Sequence, residues 1–467
     1  MHLKCHAELT NKPKPFNHQL ITAKLLRREP SVFDMSDPGT GKTRPAIEAW
    51  VERYRRGGGK ALVLAVKSNL ESVWQEETNL WAPDAEVSVA YAHNRIEAFD
   101  RGADIYVTNT DAAKWVAANN KNFFKQFDTL LVDESSYFKH RTSDRSKALA
   151  KIAPRFEFKE NLSGTPTSNG ILDIWHQMFV LDEGKRLGSN FYRFREAVCS
   201  PYQVGPDRKK HIEWVDKEDA EEAVISLISR ICVRHDIDEC TDIPKNFVHR
   251  HRYNLPPRLK AQYIKLAEEA LLQLKQGKVY GTNKAVLRNK LFQLCSGAVY
   301  TSAGKYEVLD PERYKVVANL VEERGHSLIF FVWTHQRDLI VKELKKRKIP
   351  HAYLDGSISS DRVRNRIVTN YEKGKYRTLL IHPKTGAHGF NQFIRAKSEI
   401  WASPIYEPDL LKQGIHRIRR AGQTSKTETI IITANGTVED IVYANRENKQ
   451  KRMNKFFEIV RQAHELS

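Results

Sequence analysis

The chain has little with which to build cross-links. Its five cysteines, Cys5, Cys199, Cys232, Cys240 and Cys295, are odd in number and include no C-x-x-C pair, which argues against a disulfide framework and against a zinc ribbon. They read as mostly buried thiols of a reducing compartment. Long apolar runs are missing too. ALVLAV at 61–66 and LIFFVW at 328–333 fall far short of the roughly 20 residues that span a bilayer, so no transmembrane helix is expected. The start, MHLKCHAELTNKPKPF, has no apolar core of a secretory signal, and a cytoplasmic chain follows as the expectation. Acidic residues are scarce beside basic ones, 57 against 76, which leaves a net charge of +19 and a pI near 9.5. That balance points to a polyanionic partner, nucleic acid before an anionic membrane surface.

At 467 residues with 40% hydrophobic content, the chain exceeds the usual size of one core, and two or three domains are expected. Short β-branched runs alternate with helical patterns at 61–66, 104–108 and 129–132, and again at 327–333, 377–381, 399–401 and 429–433. Such alternation predicts two α/β lobes built on parallel sheets. The stretch between, about 168–326, reads as mostly helical. The expected division is an N-terminal lobe at 1–182, a helical insertion and linker at 183–250, and a C-terminal lobe at 251–467. That last lobe would hold a helical insertion near 256–300 and a closing amphipathic helix at 441–467.

The most specific local pattern is SDPGTGKT at 36–43, placed after an apolar run and before a helical one. Gly39 and Gly41 let the backbone turn its N–H groups inward, Lys42 brings a cation for β- and γ-phosphates, and Thr43 offers a hydroxyl to Mg2+. Asp37 and Thr40 complete the loop. The ligand so predicted is a nucleoside triphosphate, although Ser36 stands where the strict G-x-x-x-x-G-K-(S/T) pattern has glycine. Asp133-Glu134 follows the apolar run LLV at 130–132, and ligands gather at the carboxyl ends of parallel strands. Asp133 is expected to hold Mg2+, usually through water, and Glu134 to orient the attacking water.

Gln413, Arg417 and Arg420 are spaced i, i+4, i+7, so they share one helix face. The guanidinium groups of Arg417 and Arg420 could stabilise a transferring phosphoryl group, or the helix could be a solvated basic one. Gln19, beside Phe16, has a carboxamide able to pair with the N6 and N7 edge of adenine. The alternative for that segment is Asn17 capping a helix that runs to Arg28.

In order, FNHQ at 16–19, SDPGTGKT, DESS at 133–136, SGTP at 163–166, TGAHGFN at 385–391 and QGIHRIRRAGQ at 413–423 resemble the motif series of helicase superfamily two. Within it, the likeness is to the SWI/SNF-type DNA translocases. SRICVRHDIDECTDIPKN, LRNKLFQLCSG, YLDGSISSDRVR and TVEDIVYANRENK support it along nearly the whole chain.

The resemblance implies two RecA-like lobes and a DNA-dependent ATPase that uses ATP and Mg2+. Lys42, Thr43, Asp133 and Glu134 would be its ATPase residues, Gln19 its adenine reader, and Arg417 and Arg420 its arginine fingers. Gly389 and Gln413 would add nucleotide contacts. Ser163 and Thr165 would couple nucleotide state to DNA grip. Lys67, Ser68, Thr108, Asn109, Trp333, Thr334, Thr385 and Gly386 would hold the DNA backbone. Duplex DNA is the implied track, with RNA as the alternative, and the chain is expected to act as a monomeric motor without added reader domains.

Three departures stand out: Ser136 where the family has a histidine, Ser36 in the cradle, and Ala387-His388 where Gly-Leu is usual. A strand-separating helicase shares every one of these motifs. A silent DNA-binding scaffold would keep the charge without the ATPase residues, and a small-molecule kinase would leave the second lobe unexplained.

Overall fold

The computed structural model describes residues 13–444 except 204–211, 241–243, 276–280, 302–303, 359, 387–392, 406–407 and 420–422. The described residues fall into two compact units, one up to Cys240 and one from Pro244 onward.

The first unit is built on seven strands: β1 (Ser31–Asp34), β2 (Lys60–Ala65), β3 (Val87–Ala90), β4 (Ile105–Asn109), β5 (Phe127–Asp133), β6 (Phe158–Leu162) and, after the antiparallel hairpin of β7 (Cys199–Gln203) and β8 (Ile212–Asp216), β9 (Cys232–Val233). They lie in the order β3-β4-β2-β5-β6-β1-β9, every neighbour parallel. Side chains alternate between the two faces of a strand. Leu62 and Leu64 therefore enter one buried cluster, and Ala61, Val63 and Ala65 the other. Burial on both faces is why the strand reads as an unbroken apolar run.

The stretch treated above as insertion and linker, 183–250, divides between the units. Phe194, Val198, Val224, Ile225, Ile228 and Cys232 pack with Phe33 and Met35 in one cluster of the first unit, and β9 completes the sheet edge. The hairpin of β7 and β8 shows that the middle of the chain is less helical than its periodicity suggests.

The second unit begins with β10 (Asn246–Tyr253), followed by a small antiparallel pair, β11 (Ala298–Tyr300) and β12 (Tyr306–Val308). Its main sheet adds β13 (Ser327–Phe330), β14 (His351–Leu354), β15 (Thr378–Ile381), β16 (Ser398–Trp401) and β17 (Thr427–Ala434), ordered β10-β17-β16-β13-β15-β14 and parallel throughout. Both faces are again covered: Ile329, Leu380 and Ile400 on one, Leu328, Phe330, Leu379 and Trp401 on the other. Two parallel sheets, each wrapped in helices, are thus the α/β architecture expected from the sequence. Of the closing helix expected at 441–467, all beyond 444 lies outside the described residues. Among the described residues, no helix is long and apolar enough to cross a membrane.

Glu399 of β16 is fully buried, and its Oε1 accepts from Trp401 Nε1 at 3.1 Å and Thr429 Oγ1 at 2.9 Å. Burial outweighs these two bonds and pushes its carboxyl up to about 8. The folded chain therefore holds a proton at neutral pH that the unfolded chain releases near the ordinary carboxylate range. The stabilisation is complete below that ordinary range and is lost as pH rises through about 8. Between these limits the slope reaches about 1.4 kcal/mol per pH unit. Urea unfolding followed from pH 5 to 8 should show the decline, and Glu399→Gln should flatten it.

Candidate nucleotide site

Register fixes the site. On the adjacent strands β5, β6 and β1, Asp133 pairs with Leu162 and Leu162 with Asp34. The three strands therefore end at one level, with Asp133 and Asp34 about 10 Å apart at the usual strand spacing. The loops that leave them, 133–138, 163–168 and 35–42, emerge together at the carboxyl edge of the sheet, where ligands of parallel α/β proteins sit.

The loop after β1 turns through Gly39 and Gly41, both with positive φ (87° and 76°), a conformation glycine adopts without a Cβ clash. It leads into helix α2, the one spanning Thr43–Arg55, whose N-terminus has no side-chain cap. First-turn N–H groups without such partners make a natural anion site. Lys42 Nζ donates to the carbonyls of Ser36 (2.7 Å) and Asp37 (3.0 Å), so the ammonium lies over the loop it would share with phosphates. Thr40 hydroxyl donates to Asp37 O at 2.8 Å.

The helix before β1, α1 (Asn17–Arg28), grips the same loop. His18 Nε2 lies 2.7 Å from Thr40 O, and Gln19 Nε2 donates to Gly41 O at 3.1 Å while its Oε1 accepts the Phe16 N–H at 3.0 Å. Phe16, which stacks on His18 with ring centroids 5.5 Å apart, holds the N-cap position. The capping alternative for Asn17 is therefore set aside, since Asn17 is already the first residue inside the helix.

Asp37 is buried, and its carboxylate faces residues 234–237: Arg234 Nη2 donates to Oδ1 at 2.7 Å and the Ile237 N–H to Oδ2 at 3.2 Å. The Ser36 hydroxyl, in the position where the pattern has glycine, accepts the His235 N–H at 3.0 Å. The departure thus has a local partner.

Asp133 Oδ2 accepts from Trp74 Nε1 at 3.1 Å and Asn69 Nδ2 at 3.3 Å. Both donors come from the turn after β2, Asn69 closing a short 3-10 turn and Trp74 sitting in the π-helical turn Leu70–Gln75. Trp74 and Asn69 are neighbours of Asp133 that the sequence alone did not reveal. A tryptophan in an ordinary-looking helical stretch carries no signal of its target.

Among the described residues no cluster of three or more carboxylate, imidazole or thiol groups is arranged for a metal. Asp133 and Thr43 would offer one carboxylate and one hydroxyl to Mg2+, an ion that takes most of its shell from water and substrate phosphate oxygens.

Glu134 adopts a left-handed backbone conformation, φ 51°, rare for a residue with a long side chain. This bend turns the chain out of β5 into the short turn Ser135–Phe138. Ser135 hydroxyl donates to Gln177 Oε1 at 2.8 Å, and Gln177 Nε2 donates to Pro166 O at 2.8 Å. A buried amide therefore joins the DESS turn to the SGTP loop.

That loop also meets the cradle. The Ser163 N–H donates to Asp34 O at 3.0 Å, the Thr165 N–H reaches Ser163 Oγ at 3.3 Å, and a Cβ on Gly164 would stand 2.7 Å from Pro38 Cδ. Cradle, acidic pair and SGTP loop are in this way brought together inside the first unit.

The remaining candidates are distributed by unit. Lys67 is exposed and Ser68 partly so after β2, and Asn109 closes β4 with its Oδ1 taking Arg95 Nη2 at 3.2 Å. Thr108 is fully buried, its hydroxyl donating to Ala90 O at 2.8 Å, so its side chain serves the sheet.

In the second unit Gln413 and Arg417 lie on the helix Pro408–Ile418, which presses Gly414 against Trp401, where a Cβ would approach within 2.7 Å. Arg417 is buried. Trp333 and Thr334 follow β13, with Trp333 stacked on His335 at 5.7 Å. Thr385 and Gly386 close the short helix Pro383–Gly386. Arg420 and Gly389 lie outside the described residues.

Gly41→Ala should lower stability by about 1–3 kcal/mol through left-handed strain, with part of the loss due to the Gln19 amide, 2.6 Å from the added Cβ. In a Gln19→Ala background the penalty should shrink but not vanish. A double-mutant cycle of urea midpoints measures both parts.

The chain resembles several known proteins along most of its length. The chain is similar to putative protein p41 of Acyrthosiphon pisum secondary endosymbiont phage 1, 25% identical over 461 residues that cover 94% of this chain and 97% of that protein. It is also similar to the putative ATP-dependent helicase/translocase YwqA of Bacillus subtilis (23% identical, 89% of this chain, 45% of that protein). DNA annealing helicase and endonuclease ZRANB3 of Bos taurus is 23% identical, over 95% of this chain and 40% of that protein. The chain thus spans less than half the length of the latter two. Among solved structures, the Sulfolobus solfataricus SWI2/SNF2 ATPase core in complex with dsDNA aligns with a TM-score of 0.44 at 18% identity, covering 94% of this chain and 92% of that one. Residues 25–296, more than half of the 467, match the SNF2-related domain, and the chain belongs to that family.

Proposed function

We propose that this SNF2-related chain is an ATP-driven translocase that moves along duplex DNA by gripping its backbone. The observation that carries the reading is the shared level at which β1, β5 and β6 end, since it puts a lysine-bearing glycine loop, a carboxylate pair and a buried loop on one edge. In this reading the cradle N–H groups and Lys42 hold the phosphates, and Gln19 and Phe16 lie on the adenine side. Thr43 and Asp133 hold Mg2+, which neutralises phosphate charge when bound. Glu134 orients the attacking water.

Arg417 and Arg420 of the second unit would stabilise the transferring phosphoryl group, an effect worth about 10³ to 10⁵ in rate. The Ser163–Thr165 loop, touching both the cradle entry and, through Gln177, the DESS turn, is suited to pass nucleotide state onward. Support for a nucleic-acid track comes from the +19 charge and from the names of relatives that act on DNA. A grip on phosphates carries no sequence information, as a translocase requires.

Glu134→Gln should keep ATP and DNA binding while turnover drops by about 10²-fold or more. ATP hydrolysis measured with duplex DNA, single-stranded DNA and RNA side by side should show the strongest stimulation by duplex. Near-normal hydrolysis in the variant would remove Glu134 from its role, and stimulation by RNA alone would replace the track. Duplex affinity should fall with salt at a log–log slope of about −3.6 or steeper, the release expected from about four or more phosphate contacts. A flat response would exclude a backbone grip.

A further inference from the structure

Residues 233–237 run along the first half of the cradle as a strap. β9 pairs with β1 at Cys232–Phe33 and Val233–Asp34, and the parallel ladder continues past both strands. The Met35 N–H donates to Val233 O at 2.8 Å and the Asp37 N–H to His235 O at 3.0 Å. Side chains reinforce it. Arg234 Nη1 donates to Met35 O at 2.7 Å, and Nη2 to Asp37 Oδ1 at 2.7 Å, with both side chains only 6% exposed. His235 and Ile237 give their N–H groups to Ser36 Oγ and Asp37 Oδ2. The His235 ring, 3.0 Å from Thr22 Oγ1, ties the strap to α1, whose His18 and Gln19 hold the other half of the loop at Thr40 and Gly41.

Two residues are shared between strap and ammonium. Ser36 and Asp37 give their carbonyls to Lys42 and their side chains to the strap. Any phosphate that draws the Lys42 ammonium toward itself weakens the first set of bonds and is felt by the second. The strap is followed by the short helix Ile237–Cys240, and then the chain passes into the second unit. A planar guanidinium forked between a carbonyl and a carboxylate fixes direction as well as charge, which a lysine could not reproduce.

We propose that Arg234 is a positioning residue for the phosphate cradle, and that the 233–237 strap carries cradle occupancy to the chain leading into the second unit. The proposal rests on the nucleotide reading above, and one experiment separates the two. Amide hydrogen exchange of the full chain is followed by mass spectrometry with and without Mg2+ and a non-hydrolysable ATP analogue. Exchange should slow both in peptides covering 36–43 and in peptides covering 233–240.

Protection of 36–43 with 233–240 unchanged would overturn the strap and leave nucleotide binding standing. No protection in either would overturn both. Arg234→Ala should weaken analogue binding by about tenfold to a hundredfold and abolish the protection of 233–240. Arg234→Lys, which keeps charge and fold but not the fork, should recover only part of the affinity. Wild-type affinity in Arg234→Lys together with intact protection of 233–240 would overturn the role of the guanidinium. Should Arg234→Ala fail to fold, the wild-type exchange pattern and Arg234→Lys decide.

Discussion

The chemistry of the first unit depends on one constraint, the parallel pairing that holds the four-residue strand β1 between β6 and β9. A strand this short has few ladder bonds of its own, so its end point is set by its neighbours. Because Asp34, Leu162 and Asp133 share a level, a one-residue slip of β1 would reverse its faces. The slip would bury the wrong side chains and carry the glycine loop away from Asp133 by about 3.3 Å. Registry and chemistry are therefore enforced by the same burial. Phe33 belongs to one apolar cluster and Val32 to another, and neither can move to the opposite face without breaking the packing of both.

Around that edge, polar side chains bond to one another and to the backbone. Ser135, Gln177 and Pro166 form one chain of bonds, Asp133 with Trp74 and Asn69 another, Asp37 with Arg234 and Ile237 a third. Buried networks of this kind are stabilising only when every member is satisfied, which gives the loops defined positions without regular secondary structure.

The second unit uses the same device. Arg313, fully buried, pairs with both oxygens of Glu439 and donates to Ser403 Oγ. That hydroxyl accepts in turn from Gln336, whose Oε1 takes the Val332 N–H beside Trp333. Removing one partner of such a pair leaves an uncompensated charge, a loss of roughly 3–5 kcal/mol. The Trp333 turn is thus fixed from the interior of its own unit.

Much of this architecture was legible in the sequence. The runs at 61–66, 129–132 and 377–381 were legible as strands of a parallel sheet because their apolar stretches, ALVLAV, LLV and LLI, alternate with helical patterns. β6 was not, since FKENL places Lys159, Glu160 and Asn161 in mid-sheet. There Asn161 donates to Gln177 O at 2.8 Å, and burial beside Asp34 raises the Glu160 carboxyl well above its usual range. β10 was hidden by its composition, NFVHRHRY, an edge strand in which Phe247, Val248, His249 and Arg252 are exposed while Arg250 and His251 are half-buried. β9 is two residues long and carries no periodic signal. The acidic pair and glycine loop stand out in the sequence because the chemistry proposed for them demands fixed residue types at fixed spacing. Their supports do not, because Trp74, Gln177 and Arg234 reach their targets through folding and not through neighbouring positions in the chain.

Ser36 departs from the phosphate-loop pattern and has a bonding partner of its own. In isolation it weakens the match to a phosphate loop, since the position favours glycine for backbone freedom. The backbone freedom is instead supplied by Gly39 and Gly41, the residues with positive φ, while Ser36 sits buried with its hydroxyl on His235. A glycine there would remove the hydroxyl that accepts the half-buried His235 N–H, a loss of about 0.5–1.5 kcal/mol. The substitution therefore does not loosen the cradle. It moves one holding point from the loop itself to the segment beside it, which makes the geometry of the phosphate loop depend on residues some two hundred positions further along the chain.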